Sequence, residues 1–145
     1  IPTKIFGKEM INNKRGKIVN IASTDAIVGK YSHDTELGVN NVVAYSASKG
    51  AVVTFTRALS VEWGKYNINV NAVAPVLVET PMTKHLFKDG TNKLNRNKEL
   101  PLANTPSMNE VSNAVCFLLS KDSDKITGQI LKVDCGYLAR GELWT

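Results

Sequence analysis

The chain is 145 residues long, a length that suits one domain. Its 43% hydrophobic and 21% charged residues match a folded core and exclude collagen, a coiled coil or a disordered tract. Eighteen Lys and Arg oppose thirteen Asp and Glu for a net charge of +5, but the basic residues are scattered, with one loose group from Lys84 to Lys98, so nucleic acid is not expected as a partner. No apolar run approaches a bilayer span, so no membrane partner is expected either. The two cysteines, Cys116 and Cys135, lack metal-ligand spacing and a His cluster, so no metal is expected. Two thiols without a secretory leader pattern point to a reducing, cytoplasmic location.

Lys4 to Asn13 places Ile5, Phe6, Met10 and Ile11 at helical spacing, and the polar run from Asn12 to Gly16 stops that helix. Residues 4–11 read as the end of a helix already under way, so an earlier part of the domain is expected to be missing. Lys17 to Ala22 is a short β-branched run, read as a buried strand with Ser23 at its carboxyl end. Thr24 to Val43 has no sustained period and reads as a long loop, a feature that is usually functional or flexible. From Ala44 to Trp63, small and apolar residues recur at threes and fours, the pattern of a helix. Ile68 to Val73 alternates apolar and polar residues as a second strand, which Ala74-Pro75 closes because Pro cannot continue a central ladder.

Val76 to Leu102 is irregular, with a weak helix expected over Pro81 to Phe87. Ser107-Met108-Asn109-Glu110 fits a capping box, and Val111, Ala114, Val115, Leu118 and Leu119 form the apolar face of the helix behind it. Thr127-Gly128 is a turn, and Gln129 to Val133 a third strand before Asp134-Cys135-Gly136. Helix and strand thus alternate three times, which argues an α/β fold with a parallel sheet and covering helices.

The sharpest chemical feature is Tyr45-Ser46-Ala47-Ser48-Lys49. Residues four apart on a helix share a face. A phenol ionises near about pH 10 in water, and an adjacent ammonium favours the phenolate. Such a pair can pass a proton to or from a substrate oxygen near neutrality. Tyr and Lys on one face are common by themselves. Context adds weight here: Ser23, the Tyr-Lys helix, Asn71-Ala72-Val73-Ala74-Pro75 and Glu79-Thr80-Pro81-Met82 converge on the carboxyl edge of the strands, where open α/β sheets bind ligands.

These segments, with Gly16 to Ser23 and Ile126 to Gly136, resemble in order the second half of the short-chain dehydrogenase/reductase family. The resemblance implies the C-terminal portion of a Rossmann-like, doubly wound parallel sheet, about three strands with their helices. It implies a NAD- or NADP-dependent oxidoreductase acting on a small-molecule alcohol or carbonyl. Tyr45 matches the catalytic acid/base. Lys49 matches the residue that favours the phenolate and hydrogen-bonds the nicotinamide ribose, and Ser23 matches the hydroxyl that holds the substrate oxygen. Pro75, Val78 and Thr80 match the cofactor-binding segment bordering the nicotinamide. The stretch from Met82 to about Leu100 matches the substrate loop, and the Ala44 to Trp63 helix matches one that commonly joins subunits, so a homo-oligomer, dimer or tetramer, is expected.

Val76 and Cys135 stand where the family usually has Gly. The separation of Ser23 from Tyr45 is longer than usual, which leaves Ser32 as a rival to Ser23; a strand end holds a side chain more firmly than a long loop. His33, Asp34 and Glu36 in that loop read as a solvated tip. The family's G-x-x-x-G-x-G phosphate loop does not occur in these residues. A family fragment serving as an interaction module therefore stands as a second reading. The basic 82–100 loop suits a polyol, sugar acid or other polar hydroxy compound, with a 3-oxoacyl thioester as the alternative.

Overall fold

The computed structural model describes residues 2–29, 42–87 and 100–140. Ser32, His33, Asp34 and Glu36 lie outside the described residues, as do Lys88, Lys93, Arg96 and Lys98. Helix α1 spans Pro2–Asn12, strand β1 Gly16–Ile21, helix α2 Val42–Trp63, strand β2 Ile68–Pro75, helix α3 Met108–Leu119 and strand β3 Ile130–Val133. The strands form one parallel sheet in the order β1-β2-β3. The expected parallel α/β architecture is therefore present.

β2 is the centre of the molecule. Ile68, Val70, Ala72 and Ala74 face α2, where they meet Leu59 and Val53; Met10, Ile11, Ile18, Trp63 and Tyr66 close the same layer near α1. A strand that alternates apolar and polar residues normally exposes one face. β2 differs, because its polar residues are covered as well: Asn71 is 0% exposed and Asn69 is half-buried. The Asn71 amide donates to the Ile126 carbonyl at 2.9 Å and accepts from the Gln129 N–H at 3.0 Å. Asn69 donates to the carbonyls of Asp124 and Ile126 at 3.0 and 2.9 Å. These amides pin the approach to β3 against β2 before the ladder begins.

Pro75 is the last rung, paired with Val133, and the Val76 N–H then reaches the Val133 carbonyl at 3.1 Å. The missing Pro donor thus falls where the ladder ends.

On the other side of the sheet, α3 runs against all three strands. Its start is the expected capping box: the Ser107 hydroxyl accepts from the Glu110 N–H at 3.3 Å, and the Glu110 carboxylate accepts from the Ser107 N–H at 2.6 Å. Beyond its end, the Lys17 ammonium donates to the Ser120 carbonyl at 2.6 Å and to Ser123 Oγ at 2.9 Å, and pairs with Asp124 at 2.8 Å. β1 and the turn after α3 are locked together at that point.

Two boundaries differ from the sequence expectation. α2 begins at Val42 rather than Ala44, and the segment after Ser23 holds a 3-10 turn at Thr24–Ala26. The expected helix over Pro81 to Phe87 is replaced by a turn followed by a 3-10 turn at Lys84–Phe87. The cause is side-chain competition for backbone groups. Thr83 Oγ accepts from the Thr80 N–H at 2.9 Å and donates to the Val78 carbonyl.

Candidate active site

Ser23 ends the β1 segment in extended geometry, with φ −161° and ψ 156°. The ladder continues into the residue before it, since the Ala22 N–H donates to the Val73 carbonyl at 2.8 Å. Ser23 caps the 3-10 turn at Thr24–Ala26, its hydroxyl oxygen accepting from the Asp25 N–H at 3.2 Å. That bond uses a lone pair and leaves the hydroxyl proton available to donate. The residue is buried, so its position is set by the sheet end.

Tyr45 and Lys49 both sit in the first half of α2. Tyr45 is half exposed. The Lys49 ammonium lies 5.7 Å from the centre of its ring and donates to the Ile21 carbonyl at 2.8 Å. Lys49 therefore ties the helix that carries Tyr45 to the strand end that carries Ser23. The three sequence-selected residues belong to one assembly, joined through the last carbonyl of β1. Only one of the three ammonium protons is used in that bond, so Lys49 retains donors for a ribose hydroxyl.

The segment after β2 is held by a residue that the sequence reading did not select. Thr83 donates to the Val78 carbonyl and shares a 2.9 Å hydrogen bond with the Thr80 hydroxyl. Val78 and Thr80 are thus oriented by Thr83 rather than by a helix. The available signal was the spacing of two threonines three residues apart, which allows such local bonds. Pro75 anchors this segment at the sheet, and the Val76 side chain is buried.

At the end of β3, the Asp134 carboxylate accepts from the N–H groups of Gly136 and Leu138 at 3.0 and 2.9 Å. Cys135 adopts a left-handed φ of 54°, which explains why Gly suits this position. Burial raises the Cys135 thiol above its ordinary range, with the charges of Glu110 and Asp134 adding to the effect. A thiol held protonated is a poor nucleophile. Among the described residues, no group of three or more His, Cys, Asp or Glu could hold a metal ion, and no helix is long and apolar enough to cross a membrane.

With this geometry in hand, comparison with known proteins places the chain. A family profile described as "Enoyl-(Acyl carrier protein) reductase" matches residues 3–138. The chain belongs to the short-chain dehydrogenase/reductase family. It is 37% identical over 134 residues to an NAD-dependent glycerol dehydrogenase of Listeria innocua, covering 92% of this chain and 49% of that protein. It is 38% identical over 131 residues to the 5-keto-D-gluconate 5-reductase of Escherichia coli K12, covering 90% of this chain and 48% of the relative. The crystal structure of a gluconate 5-dehydrogenase from Burkholderia cenocepacia, solved with NADP and tartrate, superposes with a TM-score of 0.86 at 29% identity, covering 96% of this chain and 51% of that one. The chain thus spans about half the length of the relatives it matches.

Proposed function

We propose that this chain carries the catalytic edge of a NAD- or NADP-dependent oxidoreductase that interconverts a secondary alcohol and a ketone on a polyol, sugar acid or similar polar hydroxy compound. The observation that carries the reading is the Lys49 bond to the Ile21 carbonyl, which links the Tyr45 helix to the Ser23 strand end. The named activities of the similar proteins support the substrate class.

In oxidation, the Tyr45 phenolate takes the proton of the substrate hydroxyl as the carbon gives up its hydride; in reduction, the phenol returns it. Ser23 donates its free hydroxyl proton to the same substrate oxygen. Lys49 holds the Tyr45 helix to the end of β1 and would bind the ribose of the cofactor, while Pro75, Val78 and Thr80 would border the nicotinamide. The nicotinamide, when bound, supplies or accepts the hydride. The G-x-x-x-G-x-G phosphate loop does not occur in residues 1–145, so the grip on adenine and pyrophosphate lies with other sequence. On this reading, residues 1–145 form the C-terminal part of a single Rossmann-fold domain. The exposed Val43, Phe55 and Val61 of α2 support a homo-oligomer, dimer or tetramer, and the free thiols of Cys116 and Cys135 support a reducing, cytoplasmic location.

Tyr45→Phe tests the proposal. The ring is half exposed and stays in place, so unfolding free energy is expected to change by less than about 0.5 kcal/mol. Turnover in the assembled enzyme is expected to fall by about two to four orders of magnitude, with cofactor affinity retained. Turnover within threefold of wild type would remove Tyr45 from its role.

A further inference from the structure

Helix α2 meets the sheet through a smooth layer. Val53 packs against Ala22, Ala72 and Ala74, with Val52 and Ala26 at the margin. Burial of this kind holds a helix close but is non-directional, so methyl against methyl does little to fix its height or its rotation. The proposed reaction depends on both, because Tyr45 rides on α2 and Ser23 on the end of β1.

A polar pair inside the same layer supplies the direction. Thr56 is 0% exposed. Its hydroxyl donates to the Val52 carbonyl at 2.8 Å, within the helix, and accepts from the Asn20 side-chain amide at 2.9 Å. A valine would fill the same space, so the hydroxyl at this covered position is explained by the partner it meets on β1. Asn20 precedes Ile21, whose carbonyl receives the Lys49 ammonium at 2.8 Å. Thr56 follows Lys49 by seven residues, which places both on one helical face. The helix is thus fastened to one strand end at two points of unequal stiffness. Lys49 holds through a flexible four-carbon stem. Asn20 and Thr56 are short side chains, and their hydrogen bond has a narrow range of good geometry.

We propose that Asn20 and Thr56 are a pair of positioning residues that fix the height and rotation of α2 against β1, and so set the Tyr45 and Ser23 hydroxyls at the right separation for one substrate oxygen. Neither takes part in proton transfer. They act through the elements that carry the reacting groups. Ser23 lies three residues beyond Asn20 on the strand, and Tyr45 stands about three turns before Thr56 on the helix. A helix passes a slide at Thr56 undiminished to Tyr45. A misplacement of about 1 Å at reacting groups can cost about a hundredfold in rate, so the small shift allowed by loss of this bond reaches turnover.

The inference rests on the oxidoreductase reading, so its test pairs kinetics with a readout that needs no turnover. In the assembled enzyme, turnover is followed as reduced cofactor formed from glycerol or D-gluconate, whichever the wild type oxidises. Thr56→Val and Asn20→Leu are each expected to lower kcat about tenfold or more while KM stays within about threefold, because the bond orients reacting groups and holds no ligand. Thr56→Ser keeps both bonds and is expected to stay within about twofold of the wild-type kcat. The double variant is expected to be no slower than the slower single one, since a shared bond is lost once. The ring-carbon NMR resonance of Tyr45, assigned by its disappearance in Tyr45→Phe, is expected to shift in Thr56→Val and Asn20→Leu and to return in Thr56→Ser. A purely structural role would lower the thermal midpoint and leave kcat of the folded enzyme alone. Wild-type kcat in either single variant, losses that multiply in the double variant, or a Thr56→Ser enzyme as slow as Thr56→Val would overturn the proposal. If the wild type oxidised neither probe, or if Tyr45→Phe turned over like the wild type, the oxidoreductase reading would fall instead; the Tyr45 resonance would then decide the pair by itself, and an unmoved resonance would overturn it. Should Thr56→Val fail to fold, Asn20→Leu carries the test, because it leaves the Thr56 hydroxyl bonded to Val52.

Discussion

Replacing Ser23 by Ala separates two jobs that one hydroxyl performs. The first is structural. Ser23 caps the 3-10 turn through a single 3.2 Å bond from the Asp25 N–H. Loss of an N-cap side chain costs about 0.5–2 kcal/mol, and a three-residue turn held by one long bond belongs at the low end, about 0.5–1 kcal/mol. The second job is chemical. If the free hydroxyl proton is donated to the substrate oxygen, its removal resembles loss of an oxyanion-hole donor, about 10²–10³ in kcat. A capping defect of this size leaves nearly all molecules folded, so it cannot produce such a loss in turnover. The assay is urea unfolding of the variant chain beside kcat of the assembled enzyme, with Ser32→Ala as the control. Ser23→Ala is expected to lose at least a hundredfold in kcat with a small shift in stability, and Ser32→Ala to lose far less. The reverse order would show that distance along the chain from Tyr45, rather than the rigid strand end, marks the substrate-binding hydroxyl.

Three further outcomes follow from packing and charge. Hydrogen bonding from Lys17 leads the causes that lower the Asp124 pKa in the fold, so this contribution is complete above the ordinary carboxylate range and is lost as pH falls through the lowered folded value; Lys17→Met should flatten the acid limb of a stability–pH curve, and an unchanged limb would show the pair to be idle. Cys135→Gly should raise stability by about 0.5–1 kcal/mol, because relief of a left-handed non-glycine residue outweighs the added freedom of the unfolded chain; a drop in thermal midpoint would contradict this. Gly7→Ala should destabilise despite its helix propensity gain of about 1 kcal/mol, since a Cβ there would come within 2.2 Å of the Trp63 ring and overpacking costs about 1–3 kcal/mol; chemical denaturation showing a stabilised variant would refute it.

The strands and the α3 cap were legible because their signals are local. Lys17 to Ala22 and Ile68 to Val73 carry their own apolar pattern, and the Ser107–Glu110 box closes on itself within one turn. The site residues Ser23, Tyr45 and Lys49 were legible as residue types at strand and helix positions. Their connection was not, because the Lys49 bond goes to a backbone carbonyl 28 residues away, and every residue has one. The turn at 80–83 was misread as a helix start because Pro81 is a helical N1 signal, while the hydroxyls of Thr80 and Thr83 redirect the local backbone bonds. Asn69 and Asn71 read as the wet face of a strand, yet they are anchors for the segment before β3, a role fixed by partners more than fifty residues on.

The precision of the site traces back to β2, which contributes Pro75 to the proposed site but holds none of the three residues assigned to proton transfer and substrate binding. Val73 is fully buried, and it fixes the end of β1 twice, as the register partner of Ile21 and as acceptor for the Ala22 N–H. Ser23 follows directly, with its direction set by that ladder. The Ile21 carbonyl points out of the same strand end and receives the Lys49 ammonium, which holds the α2 face bearing Tyr45. Position is thus passed from a buried strand to a strand end, from there to a lysine, and finally to a half-exposed tyrosine. Side chains alternate in direction along a strand, so a one-residue slip of β1 on β2 would turn Ser23 to the opposite face and move the Ile21 carbonyl away from Lys49. Residues that hold β1 in place, such as Lys17, which fastens it to the turn after α3 through the Ser120 carbonyl, therefore bear on the proposed catalysis through geometry although they lie at the far end of the strand.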